Sequence, residues 1–404
     1  MQPTFFNEKP PAPQFGPDVR IVTATGSATS RENMTLRAAF MAALGSLGAD
    51  LRRNGVVPAD IRTLAIHVPD SKAFMDDLVE LDLLYREMLG GNAGTVGLLT
   101  SDGVVSLEAD LAVSPPSDAP VYRGMTKAEV NHEYSPRAIV TEAADIMANW
   151  RIQGTAFQKT RTAEIHYGSD PKHAIDLYLP ENKDKPPIMI FIHGGYWQAL
   201  DKRDNSHLCA ALVDAGVAVA SVNYPLCPPS SIAEIIRHCQ TAAAVLYRNE
   251  EGFGYDTTRI TVCGHSAGGH LAAVLGRTDW PSISPDLPAD LIKGCLPISG
   301  VFDVEPLVHT GLNAALNLDV AGARAVSVTR MDGRHAGPVI CAVGGDESES
   351  FRQQSKNYTK LAKELAPSAE YLELPGKNHF TVVEALNEPD SALCGAAVKM
   401  ATSV

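Results

Sequence analysis

Long apolar runs are missing from this chain, and no uninterrupted stretch would span a bilayer. The first ten residues, rich in Pro and Phe, lack the charged-then-apolar build of a signal peptide. Basic runs are equally absent, and a net charge of −13 works against any phosphate-backbone partner. Neither nucleic acid nor membrane is therefore an expected partner. Metal-ligand spacings of the H-E-x-x-H or His-Asp-x-His type do not occur, and no free-standing glycine-rich phosphate or dinucleotide loop is found. No cofactor or metal is expected. Cysteine is scarce and odd in number: seven residues, all in the second half, with no C-x-x-C pair. That excludes a disulfide frame or a zinc ribbon and suits reduced, mostly buried thiols in a cytoplasmic protein.

What is present starts with length. The 404 residues exceed one typical domain, so two are expected. Residues 1–18, with five prolines, read as an extended arm. A strand is expected over Val19–Thr25, then a helix from Asn33, where Leu36, Phe40, Leu44, Leu47 and Leu51 recur at three- and four-residue steps. Ile61–Val68 alternates like a strand, and a second amphipathic helix runs from Ser71 to Gly90-Gly91. Val96–Thr100 and Val104–Val113 supply two more strands around Ser101-Asp102-Gly103. Residues 19–117 thus form a small α+β module, and a Pro/Ser-rich linker marks its end near residue 118. Beyond it Thr126 and Glu129 make a capping-box pattern, and Ile139–Trp150 is helical.

From Ala163 short apolar strands alternate with helical stretches, the pattern of a mostly parallel sheet covered on both faces. Strands are expected at Ile175–Pro180 (edge-type), Pro187–Ile192, Val217–Val222, Ile260–Cys263, Gly294–Ile298, Pro338–Val343 and Ala369–Leu374. Helices are expected at 203–215, 232–249, 266–276 and 351–365. One junction carries chemistry. Gly264-His265-Ser266-Ala267-Gly268 is a G-x-S-x-G match between a β-branched strand and a helix, the context in which a serine is pinned exposed on a sharp turn.

A nucleophilic Ser266 needs a base, an orienting acid and donors for an oxyanion, drawn from loops at the carboxyl ends of strands. His379, in the loop after the last strand, is the base expected from chain order. The acid should follow the strand ending at Val343, and there Asp346 and Glu347 both fit by position. His193-Gly194-Gly195-Tyr196-Trp197 directly follows an early strand. The N–H groups of Gly194 and Gly195, with that of Ala267, are the candidate oxyanion hole, and His193 reads as a loop brace. Tyr196 and Trp197 are candidate walls of a substrate pocket for a small molecule.

His193-Gly-Gly-Tyr-Trp, Asn223-Tyr-Pro-Leu-Cys-Pro, Gly264-His-Ser-Ala-Gly-Gly-His-Leu-Ala-Ala, Ser299-Gly-Val-Phe-Asp303, Phe351-Arg-Gln-Gln-Ser355 and Asn378-His-Phe380 together resemble kynurenine formamidase (arylformamidase) and its bacterial esterase-like relatives, from about Gly124 to Asp390. The resemblance implies an α/β-hydrolase fold over residues 118–404, with 118–160 as linker and N-terminal helices. In those relatives the triad acid stands four residues before the phenylalanine of the Phe-x-x-Gln-Ser stretch, which selects Glu347 over Asp346. It implies a serine hydrolase cleaving an N-formyl or similar aryl amide through an acyl-enzyme. An esterase or amidase acting on another small acyl, carbamate or enamine-type compound is the alternative, and a non-catalytic assembly protein a third reading.

The first module, in the order of its elements and in Asp60-Ile-Arg-Thr-Leu-Ala-Ile-His-Val-Pro-Asp70, resembles the reactive-intermediate deaminase (Rid/YjgF) family, with its chorismate-mutase-like fold. Glu108 falls where that family often carries a glutamate. Gly94 falls where its carboxylate-binding arginine stands, and glycine cannot make the bidentate pair. The resemblance therefore implies an assembly or shielding module, and a homo-oligomer, as a trimer through this part.

Overall fold

The computed structural model describes residues 5–6, 20–29, 40, 43–45, 47, 61–68, 95–100, 104–113 and 119–403, except 182 and 249. The expected helix at 71–91, the linker at 114–118, Gly94 and most of the N-terminal arm lie outside them. The chain divides into two compact units, Met1–Asn131 with His309–Ala315, and His132–Val308 with Leu316–Val404.

The first unit is built on a five-stranded sheet in the order β1-β4-β3-β5-β2. Its strands are Phe5–Phe6 (β1), Arg20–Thr29 (β2), Ile61–Val68 (β3), Thr95–Thr100 (β4) and Val104–Val113 (β5). β5 runs antiparallel to both β2 and β3, whereas β3 and β4 are parallel. Strand β2 is longer than the apolar pattern indicated, since Gly26-Ser-Ala-Thr29 continues its pairing with β5. Phe40, Leu44 and Leu47 are buried, as the helical spacing of those residues requires. The Thr126–Glu129 capping box forms as written: Thr126 N donates to Glu129 Oε2 (2.7 Å) and Glu129 N to Thr126 Oγ1 (3.3 Å).

The second unit carries an eight-stranded sheet, β13-β12-β11-β10-β8-β9-β7-β6. Its strands are Ala163–His166 (β6), Ala174–Tyr178 (β7), Pro187–Ile192 (β8), Ala218–Val222 (β9), Asp256–His265 (β10), Gly294–Ile298 (β11), Val339–Gly344 (β12) and Ala369–Leu374 (β13). From β9 to β13 every neighbouring pair is parallel, and β7 and β6 close the other end antiparallel. The edge expectation for β7 is corrected: all five of its residues are buried, because the short β6 covers it. Every residue of β8, β9 and β11 is buried too, which is why these strands read as unbroken apolar runs.

Among the described residues the longest helices of this unit are Ala143–Phe157 (α1), Ile232–Arg248 (α2), Ala267–Arg277 (α3), Glu349–Leu365 (α4) and Ala392–Ser403 (α5). The expected helix at 139–150 is instead a short turn, Pro136–Ile139, and α1, separated where Val140 adopts extended backbone. The expected helix at 203–215 is broken into Lys202–Asn205, Ser206–Cys209 and Ala210–Asp214. All seven cysteines are buried and unbridged. Among the described residues, no helix is long and apolar enough to cross a membrane.

One topological feature locates the site. From β8 the chain adds β9 on one side and then returns to place β10 on the other. The loops leaving β8 and β10 therefore diverge at the carboxyl edge of the sheet, where open α/β sheets form their binding crevice.

Candidate active site

Backbone sterics build the turn around Ser266. Strand β10 ends at His265, helix α3 begins at Ala267, and Ser266 between them sits at φ 57°, ψ −115°. A non-glycine residue holds that conformation only if its surroundings over-determine it. They do so by close packing. A Cβ at Gly268 would lie 2.0 Å from the Ile192 carbonyl, and one at Gly264 2.2 Å from the Gly268 carbonyl. Only glycine allows strand, turn and helix to pass so closely.

The four loops at this edge are stitched in sequence. Ser266 N donates to Ile298 O (2.8 Å), Ser299 N to Ala342 O (2.8 Å) and Gly345 N to Leu374 O (2.8 Å). Each first residue beyond a parallel strand thus anchors to the C-terminal part of the next strand. Asp346 N adds a bond to Lys377 O (3.0 Å), joining the acid loop to the histidine loop.

His379 hangs from the loop after β13. The Asn378 side chain accepts from Phe380 N (2.9 Å) and Thr381 N (3.0 Å), which fixes the turn that presents the imidazole. Its Nδ1 lies 2.6 Å from Glu347 Oε2, with both side chains buried. The other carboxylate oxygen of Glu347 accepts from Gly344 N (2.8 Å) and from the Ser299 hydroxyl. Of the two acids open by position, Glu347 meets His379, whereas Asp346 is exposed. His265 closes the circle: its Nε2 bonds the His379 carbonyl (2.8 Å) and the two rings lie 4.8 Å apart. Burial, with His379 alongside, holds His265 well below the usual imidazole range, so it stays neutral and structural.

The 193–197 loop comes up against the same turn. A Cβ on Gly194 would lie 3.2 Å from Ser266 Cβ. Gly195, Tyr196 and Trp197 all have positive φ (101°, 50° and 57°). His193 is the brace: its ring stacks on Tyr224 at 4.3 Å, and its nitrogens meet Gly194 O (2.9 Å) and Asn223 Oδ1 (3.2 Å). Burial pushes its pKa down, as suits a neutral strut. Among the described residues, none accepts from the N–H of Gly194, Gly195 or Ala267. Trp197 is fully buried with its ring edge-on to His270 at 5.1 Å, so it packs the loop from below and presents no surface to a pocket. Tyr196 is half-buried, its hydroxyl donating to Tyr134 O at 2.7 Å.

Residues 175–285, which hold both glycine-rich turns, match the BD-FAE family. A structure from Silicibacter sp. TM1040, a proposed thioesterase, superposes with a TM-score of 0.59 at 32% identity over 66% of this chain and 98% of its own. The chain belongs to the α/β-hydrolases. Kynurenine formamidase of Danio rerio is 27% identical to this hydrolase over 296 residues, 69% of the chain and 98% of the relative. Isoprenylcysteine α-carbonyl methylesterase of Arabidopsis thaliana is 27% identical over 244 residues, 55% of the chain and 57% of the relative. This α/β-hydrolase is an enzyme of the esterase and formamidase type.

Two residues of its site had no role assigned from the sequence. Ser299, the second donor to Glu347, has φ 50° at the end of β11. Trp150 of α1 donates to Glu384 (2.8 Å) and packs against Phe380 and His265. The motif around Ser299 was visible, but its backbone twist was not, and nothing in the spacing of α1 points at a site more than a hundred residues away.

Proposed function

We propose that this hydrolase cleaves a small amide of the N-formyl aryl type through an acyl-enzyme on Ser266. The observation that carries the reading is the buried 2.6 Å contact between Glu347 and His379. The Glu347 carboxylate accepts a hydrogen bond from Nδ1–H of His379, which leaves the lone pair on Nε2 as the base. Ser266 attacks the substrate carbonyl as His379 removes its proton. The N–H groups of Gly194 or Gly195 and of Ala267 receive the oxyanion. His379 then returns the proton to the leaving amine, the C–N bond breaks, and the acyl group remains on Ser266. Water, deprotonated by His379 in turn, releases the acid.

A second reading keeps the same machinery and makes the substrate an ester, supported by the methylesterase among the relatives. Comparing N-formylkynurenine, formyl anilides and p-nitrophenyl acetate on wild type and Ser266→Ala separates the two. A formyl amide should be turned over with kcat/KM above that of the generic ester. If p-nitrophenyl acetate is the better substrate, the esterase reading replaces the amidase one. We further propose, on the unbridged thiols and the sequence of the first unit, a cytoplasmic enzyme whose Rid-like part assembles it as a homo-oligomer.

A further inference from the structure

The 193–197 loop holds three consecutive residues in left-handed backbone, and Leu200 adds a fourth at φ 70°. Such a loop keeps its shape only if something outside it pins the conformation. The pin lies on a segment that no site motif includes. Tyr196 Oη donates to the carbonyl of Tyr134 (2.7 Å). The preceding residue reaches the opposite wall: Ser350 N donates to Glu133 Oε2 (2.8 Å), and Ser348 Oγ to Glu133 O (2.7 Å). Ser348 directly follows Glu347, and Ser350 stands two residues beyond Ser348. The Tyr134 side chain extends the same link, accepting from Gln354 Nε2 (3.1 Å) and standing 5.8 Å from the Phe351 ring, which lies 4.5 Å from that of His379.

We propose that Glu133 and Tyr134 form a strap that fixes the oxyanion loop, through Tyr196, against the acid loop, through Ser348 and Ser350. Two adjacent residues hold both walls, so the gap between oxyanion donors and the Glu347–His379 pair is set by two consecutive peptide units. Burial keeps the Tyr196 phenol protonated and committed to Tyr134. Glu133, Tyr134 and Tyr196 are positioning residues: they act through the loops and touch neither the acyl carbon nor the leaving group. The inference rests on the hydrolase reading above. It adds that turnover depends on a segment lying before the sheet in the chain.

The test is a double-mutant cycle on the full chain, with kcat and KM measured for p-nitrophenyl acetate. Tyr196→Phe removes the hydroxyl and keeps the ring, and Glu133→Ala removes the acceptor of Ser350. Each should lower kcat about ten-fold with KM within about two-fold, because misplacing a preorganised group by a fraction of an ångström costs that much. The double variant should lose clearly less than the product of the two, since both weaken the same link. Glu133→Gln, which retains an acceptor, should recover most of the rate. Multiplicative losses, a loss carried by KM, or no loss in folded variants would overturn the strap. Labelling by a fluorophosphonate keeps the two readings apart. If wild-type Ser266 is not labelled, the hydrolase reading itself fails; if it is labelled at the same rate in wild type and both variants, only the strap does.

Discussion

Both carboxylate oxygens of Glu347 are engaged by donors, so an amide NH2 in its place must face one of them. Ser299 and Gly344 N both donate to Oε1, and His379 Nδ1 faces Oε2. In Glu347→Gln the amide oxygen must take the two donors, which turns the NH2 toward His379 and forces its proton onto Nε2. The imidazole is then in the wrong tautomer for a base. A loss in kcat on the order of 10^4-fold is expected with the fold intact, measured on whichever substrate wild type prefers. Asp346→Asn, one residue away and exposed, should stay within about two-fold. Position in the sequence left these two acids open and a family spacing chose between them. What the sequence could not carry is the reason: the turn closed by Glu347 N on Gly344 O (3.3 Å) swings one side chain inward and the other to solvent.

At the scale of elements, the junction of β10, Ser266 and α3 holds only because its glycines let backbones touch. Gly268→Ala would drive a methyl to 2.0 Å from the Ile192 carbonyl, so strand β8 or the turn must shift. A destabilisation of about 3 kcal/mol or more is expected in chemical denaturation, with activity lost alongside. Gly395 makes the opposite case. It is exposed within α5 with nothing near its Cβ position, and Gly395→Ala should stabilise by about 0.5–1 kcal/mol. The elements themselves were largely legible: β5, β8, β11 and β13 begin and end where the strand patterns do, and β8 and β11 are buried throughout, as their unbroken apolar runs require. The region 203–215 was not, since its helical spacing says nothing about the 3-10 turn that interrupts it at Ser206–Cys209.

For the molecule as a whole, buried histidines govern the response to acid. Burial lowers His207, His270 and His335 to about 4, with Val326 O partly opposing the shift at His270 and Arg277 adding to it at His335. In the unfolded chain they titrate near the ordinary value of about 6.5. Between those limits the unfolded state binds protons that the native state refuses, so stability falls as pH drops from about 6.5 toward 4 and is full above it. His193 and His265 act in the same direction. The denaturation midpoint should therefore fall steeply between pH 7 and pH 5, and the fall should flatten in a His270→Gln variant. Strand order was the feature least available at this scale. Alternation of strands and helices indicates a parallel sheet, but the return of β10 to the far side of β8, which opens the crevice, is set by tertiary packing.

The central claim is that Ser266 is a nucleophile activated by the His379–Glu347 pair. The most direct measurement is the rate and position of fluorophosphonate labelling, mapped by peptide mass spectrometry, in wild type, Glu347→Gln and Asp346→Asn. The adduct should fall on Ser266, at a rate unchanged in Asp346→Asn and lowered by orders of magnitude in Glu347→Gln. An adduct on another residue, or equal rates in all three proteins, would contradict it.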